Sequence, residues 1–295
     1  MRIGIAGLGR LGSAMAERLA ECGREVVLWN RSPEKIAPLV ERGAAAAVSP
    51  ADLASRAEIV LTVLTDAAAM EAVYHGADGL LSGDVAGKLF VEMSTVQPAT
   101  QVALSEKVRA RGAMFLECPV GGTTGPARQG KLIGLVGGEA TDLERARPVL
   151  EQLCRRIEHA GPVGSGASLK LAINLPLMVY YQALGEAYSL CQHLGHDPVA
   201  LMELFADTSG GPNILKIRGP AIGGALKGVE IKPPTFDVDA VRKDLQTMIA
   251  EAQALGRNLP LVERTLAVYD EAAANGWDKR DASMLAGYWP GRKDG

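Results

Sequence analysis

Lys170 and Asn174 stand four residues apart in the stretch GSGASLKLAIN, Gly164 to Asn174, a spacing that stacks two side chains on one helix face. Their neighbours Ala167, Leu169, Leu171, Ala172, Ile173 and Leu175 are apolar. Apolar surroundings draw an ammonium's pKa down towards the working range, so this pair is suited to moving a proton. The same residues fit a plainer arrangement, a lysine snorkelling to water and an asparagine bonded to backbone. The stretch alone leaves both open.

A second stretch with chemistry in it is GLGRLG, comprising Gly7, Leu8, Gly9, Arg10, Leu11 and Gly12. It follows a strand-like run, Arg2 to Ala6, and precedes a helical pattern with Leu11, Met15, Leu19 and Ala20 on one side. That context makes GxGxxG a dinucleotide site. Gly7 allows the tight turn, Gly9 lets backbone approach a pyrophosphate, and Gly12 lets helix and strand pack closely. The helix N-terminus then offers unpaired N–H groups to the phosphates. Next comes a strand, Val26 to Trp29, ending in Asn30, Arg31 and Ser32. An NAD site usually carries an acidic residue there to hold the ribose hydroxyls. Arginine and serine would instead bond a 2′-phosphate. NADP(H) is therefore expected over NAD(H), although Arg31 as a solvated charge and Asn30 as a turn residue fit the same spacing.

These residues need elements to place them. Pro33–Val40 reads as a helix, Ile59–Val63 as a strand, Asp66–Tyr74 as a helix, Leu89–Met93 as a strand and Pro98–Arg111 as a helix. The alternation predicts a parallel, doubly wound sheet, with ligands at the carboxyl ends of the strands. Leu64, Thr65 and Asp66 stand at one such end, and Ser94 and Thr95 at another. Thr65 and Thr95 fit cofactor contact or helix capping equally. Glycines cluster again at Gly121, Gly122, Gly125 and Gly130. A strand at Leu132–Val136, a helix from about Thr141 to Cys154 and a strand near Ile157 follow. Beyond Pro162–Gly166, helical periodicity runs from Ala167 to Leu194, roughly 40 Å of helix. The remainder reads as helices, with a loop from Gly223 to Phe236 and a free tail after Pro290. A domain boundary is expected at 162/163, dividing residues 1–162 from 163–295.

Composition narrows the function classes. The 31 basic and 34 acidic residues nearly balance, giving no electrostatic footprint for nucleic acid or an anionic membrane. No apolar run reaches the ~20 residues of a membrane span. The four cysteines, Cys22, Cys118, Cys154 and Cys191, are scattered without metal-ligand spacing, so no metal site is expected and free thiols are. With a strand at its very start and no signal segment, the chain reads as cytoplasmic.

With these pieces assembled, the chain resembles the β-hydroxyacid dehydrogenase family, which includes 3-hydroxyisobutyrate dehydrogenase, tartronate semialdehyde reductase and the glyoxylate/succinic semialdehyde reductases. Four motifs carry the resemblance, in order and over nearly the whole length. GLGRLG is similar to the cofactor loop, with Leu11 for the usual methionine. ECPVGGTTGPARQGKL is similar to the substrate stretch that usually reads DAPVSGG, and GSGASLKLAIN to GxGxxxKxxNN. Lys243, Asp244 and Leu245 match the KDL motif. The resemblance implies an α/β fold, a Rossmann-like domain followed by an all-helical domain through which subunits pair as homodimers or homotetramers. It implies Lys170 as the catalytic lysine, Asn174 at the substrate hydroxyl and Lys243 near nicotinamide and substrate. Gly121, Gly122 and Thr123 fall on the segment that holds a small substrate's carboxylate. Several positions depart from the pattern. Ile173 replaces the first asparagine, Gly121 the serine and Thr123 the last glycine, which bears on substrate choice. Cys118 for alanine and Glu117 for aspartate read as packing variants. The expected activity is hydride transfer between a nicotinamide cofactor and a small 3-hydroxy acid or its semialdehyde. An imine reductase and a non-catalytic NADP-binding module are the alternatives, and Lys170 weighs against both.

Overall fold

Strict alternation of side chains along short apolar strands shapes the first part of the chain. A computed structural model describes residues 1–289, so the tail after Pro290 lies outside the described residues. The chain forms two compact units, Met1–Leu171 and a second from Ala172 onward.

The first unit runs β1 (Arg2–Ala6), α1 (Arg10–Glu21), β2 (Glu25–Trp29), α2 (Ala37–Val40), β3 (Ala45–Ala46), α3 (Pro50–Arg56), β4 (Ile59–Thr62), α4 (Ala67–His75) and β5 (Leu89–Glu92). It continues with α5 (Pro98–Ala110), β6 (Met114–Glu117), β7 (Val120–Gly121), α6 (Thr124–Arg128), β8 (Leu132–Gly138), α7 (Ala140–Leu153) and β9 (Cys154–Gly161). The strands lie in the order β3-β2-β1-β4-β5-β6-β8-β7, with β9 on β8. Ile3, Ile5, Leu28, Ile59, Leu61, Leu89, Val91 and Leu116 join one core with Met15, Leu19 and Leu150 of α1 and α7. Their alternates Val27, Val60, Phe90 and Phe115 join the other with Leu53, Met70, Tyr74 and Leu104 of α3 to α5. Burial on both faces is what the unbroken apolar strands encode.

Strands β1 to β6 are parallel, as expected. Strand β8, however, runs antiparallel to both β6 and β7. A parallel return needs a crossover of a dozen residues or more, usually a long helix, and the five residues of α6 cannot supply it. The predicted Pro33–Val40 helix is a 3₁₀ turn, Pro33–Lys35, followed by the four-residue α2. Strands β3 and β7, two residues each, carry no pattern long enough to read. Helix α3 does carry a start signal, since the hydroxyl of Ser49 accepts from the N–H of Asp52 at 3.1 Å.

Helix α8 (Ser165–Ser189) begins in the first unit and continues into the second. It is shorter than its periodicity predicts. A separate 3₁₀ turn, Gln192–Leu194, capped by Gly195 at φ +69°, follows it before the next element. The second unit adds α9 (Pro198–Ala206), α10 (Asn213–Leu226), α11 (Val238–Ala254), α12 (Pro260–Ala272) and α13 (Leu285–Tyr288). Met178, Leu184, Met202, Ile222, Leu245 and Tyr269 are buried there. The loop expected from Gly223 starts later, because Gly223 lies inside α10. A Cβ on it would come within 2.6 Å of the Val199 backbone, so this glycine serves close helix packing and not a turn. No helix among the described residues is long and apolar enough to cross a membrane.

Candidate active site

The glycine loop behaves as its chemistry requires. Gly7 has φ +97°, which favours glycine, and a Cβ on it would overlap the Val63 carbonyl oxygen. A Cβ on Gly12 would overlap the carbonyl oxygen of Gly7, so α1 packs directly on the turn. Around Gly9 nothing stands within 4 Å of an added Cβ. Gly9 is the N-cap of α1 and gives it no side-chain cap bond, and no acidic residue lies in the first turn. The first-turn N–H groups of a helix that begins beside open space fit a pyrophosphate.

A cavity of about 360 Å³ opens from this loop, lined by Gly7, Gly9, Asn30, Arg31, Ser32, Leu64 and Thr65 among others. Lys35 lines it too, a second cation that the sequence reading passed over. Asn30 has another task. Its Oδ1 accepts from the N–H of Leu8 at 2.8 Å, and its Nδ2 donates to the Ser32 carbonyl at 2.9 Å. It ties the glycine loop to the end of β2. Leu8 is buried and Leu11 packs against the core, while Arg10 is exposed at the start of α1. Thr95 is half-buried in the segment after β5.

Thr62, Glu92 and Glu117 stand in register at the carboxyl ends of β4, β5 and β6. All three are buried. The Thr62 hydroxyl donates to Glu92 at 2.5 Å, and the other Glu92 oxygen accepts from the N–H of Ser94 at 2.7 Å. Ser94 Oγ in turn accepts from the N–H of Leu64 at 2.7 Å. Glu92 thereby joins the loop after β4 to the loop after β5. Burial pushes its carboxyl pKa up, against the pull of those donors. Asp66 caps α4, its carboxylate accepting from the N–H of Ala69.

Glu117, which reads as a packing variant in the sequence, is more than that. Its Oε1 accepts from the N–H groups of Gly164 at 2.6 Å and Gly166 at 2.8 Å. Those residues open α8, and Lys170, 9% exposed, follows one turn later. Burial pushes the Glu117 carboxyl up to about 7, partly offset by the N–H groups of Gly166, Gly164 and Ala167. The raised folded value lies above the ordinary 4.5, so the native state holds a proton that the unfolded chain has released. That stabilisation is complete below about pH 4.5 and is lost as pH rises to about 7. Between pH 5 and pH 8 the protein should lose roughly 2 kcal/mol of stability that E117Q does not lose. Urea unfolding of both proteins at the two pH values measures it, and parallel losses would refute it.

In the second unit, Asp244 gathers two of the expected site residues. Its Oδ1 lies 2.6 Å from Lys243 Nζ, and its Oδ2 accepts from Asn174 Nδ2 at 3.3 Å. The carboxylate, buried at the middle of KDL, thus orients both side chains. Sequence reading gave a role to the lysine of this motif only. Gly121 lies on β7, Gly122 follows at φ +117°, and Thr123 is the exposed N-cap of α6, without a side-chain cap bond. A Cβ on Gly121 would meet Ile133 at 3.7 Å, ordinary contact, so the backbone there leaves room for a side chain to begin. Among the described residues no cluster of His, Cys, Asp and Glu could hold a metal ion.

Known proteins show the same arrangement of sequence. Residues 2–161 match the family model described as the NAD binding domain of 6-phosphogluconate dehydrogenase. Residues 164–289 match the NAD-binding model of NADP-dependent 3-hydroxyisobutyrate dehydrogenase. The chain is 37% identical over 267 residues to a 3-hydroxyisobutyrate dehydrogenase of Pseudomonas aeruginosa, covering 88% of each chain. It is 32% identical over 286 residues, 96% of each, to an NAD-dependent L-serine dehydrogenase of the same organism. The structure of a Mycobacterium tuberculosis 3-hydroxyisobutyrate dehydrogenase with L-serine superposes with a TM-score of 0.82 at 26% identity, over 97% of both chains. With two ordered domain matches over a glycine loop built for a dinucleotide, the chain belongs to the β-hydroxyacid dehydrogenase family, as a nicotinamide-cofactor oxidoreductase of the 3-hydroxyisobutyrate dehydrogenase type.

Proposed function

We propose that this protein is an NADP(H)-dependent 3-hydroxyacid dehydrogenase, working in reverse as a semialdehyde reductase, with Lys170 as general acid and base. A bound nicotinamide supplies or accepts the hydride at the substrate's carbon. Lys170, as an ammonium, donates a proton to the developing alkoxide, and as an amine removes it in the oxidative direction. Asn174, oriented by Asp244, holds the substrate's hydroxyl-bearing end in place. Lys243 steadies carboxylate or nicotinamide, and the backbone N–H groups of Gly122 and Thr123, with the Thr123 hydroxyl, bond the carboxylate. Arg31, Ser32 and Lys35 receive the 2′-phosphate that distinguishes NADP from NAD. Residues 1–162 form the cofactor domain, and 163–295 the substrate domain through which homodimers or homotetramers assemble in the cytoplasm. The observation that carries this reading is the buried Lys170 within the third of four ordered motifs. Relatives named for 3-hydroxyisobutyrate and L-serine, both 3-hydroxy acids, support the substrate class.

NADPH oxidation against short semialdehydes and matched neutral aldehydes tests it. Acid semialdehydes should turn over, and inactivity with every acid and either cofactor would overturn the reading. In the same assay T123V should raise KM for the acids about tenfold, the loss of one bond to a charged group, with kcat less affected. Equal harm to the neutral aldehydes would remove Thr123 from the carboxylate site.

A further inference from the structure

The helix that carries Lys170 is anchored at its head by a side chain from the sheet. First-turn N–H groups of a helix have no intrahelical partners, and a nearby residue usually caps them. Here Glu117 does so from 47 and 49 positions earlier in the chain. Glycines make room for this carboxyl and for the helix it holds. A Cβ on Gly137 would overlap Glu117 Oε1, and one on Gly166 would overlap the Leu135 carbonyl oxygen. The start of α8 is therefore seated on β8 through one carboxyl group fixed at the end of β6.

We propose that Glu117 is a positioning residue for the proton donor, holding the head of α8 so that Lys170 stands at a set height above the strand ends. This rests on the reading of Lys170 as general acid. One accepting oxygen makes both bonds, and a neutral carboxyl supplies it as an ionised one does. Reach is the property that matters. An aspartate would draw the oxygen back by about 1.5 Å, outside hydrogen-bond distance, unless the helix followed. A displacement of about 1 Å at a catalytic group can cost a hundredfold in rate. The oxygen left over, Oε2, has no partner among the described residues, so the contact at Oε1 is the one with a structural task.

The experiment compares E117D with E117Q, whose amide oxygen has the reach of the native one. Measured are kcat at saturating semialdehyde and NADPH, NADPH affinity by fluorescence titration, and the melting temperature. E117D should lower kcat at least tenfold with NADPH affinity within threefold, and E117Q should recover most of that loss. A smaller loss in E117D, or equal losses in the two, overturns the proposal. So does a lower melting temperature with kcat of the folded protein unchanged. Hydrogen exchange on the unaltered protein gives a measurement that needs no variant. The Gly164 and Gly166 amides should be protected like the α8 interior, and loop-like exchange at both would overturn the anchor. K170A separates this proposal from the one beneath it. If K170A stays active, the proton-donor reading fails. If K170A is inactive while E117D is not, only the positioning fails.

Discussion

Replacing Lys170 by alanine lowers kcat at least ~100-fold, the usual consequence of losing a general acid, while NADPH affinity stays near that of the unaltered protein. The split follows from where the groups stand. The cofactor loop, Gly7 to Gly12, and its cavity owe nothing to Lys170, which enters the chain on α8. K170R fails as well, because a guanidinium remains protonated near neutrality and cannot return the proton. Stopped-flow hydride transfer together with NADPH titration measures both quantities. Most of the activity surviving in K170A would contradict the mechanism and favour a cofactor-binding module.

The second large effect concerns cofactor choice. Removing both cations that line the cavity, in R31A/K35A, weakens NADPH binding roughly a hundredfold, about tenfold for each charge-assisted bond. NADH binding should change by less than threefold, since NADH has no 2′-phosphate. Asn30→Asp is a less clean route to the same question. Asn30 Nδ2 donates to the Ser32 carbonyl, and a carboxylate there would set two acceptors against each other and disturb the loop itself. Equal kcat/KM with NADPH and NADH in the unaltered protein would sink the preference, and the relative named as an NAD-dependent L-serine dehydrogenase makes that comparison necessary.

Much of the fold is legible residue by residue. The glycine loop can be read because its requirements are local: a positive φ at Gly7, an overlap at Gly12 and open space at Gly9 all arise within a few residues. Apolar strands and helix periodicities are local in the same sense, and they place β1, β2, β4, β5 and β6. Shorter elements escape, since the two residues of β3 or β7 hold no period. Gly223 misleads for a related reason. A glycine in a turn and a glycine under a crossing helix look alike until Val199 is known to lie against it.

By itself, then, the sequence determined what depends on neighbours in the chain: the dinucleotide turn, the alternation of strand and helix, and the spacing of Lys170 and Asn174 on one helix. Tertiary structure alone decided which distant groups complete them. Asn174 and Asp244 meet across 70 positions, and Glu117 reaches Gly164 across 47. Asn30 turned out to hold the glycine loop and Lys35 to join Arg31 at the cavity. Glu117 and Glu92 are carboxyls in apolar-flanked strands, and nothing in their types or spacing distinguishes a packing residue from an anchor. The difference lies in the donors that folding brings to them, because a buried carboxyl must find partners, and long-range packing selects which ones it finds.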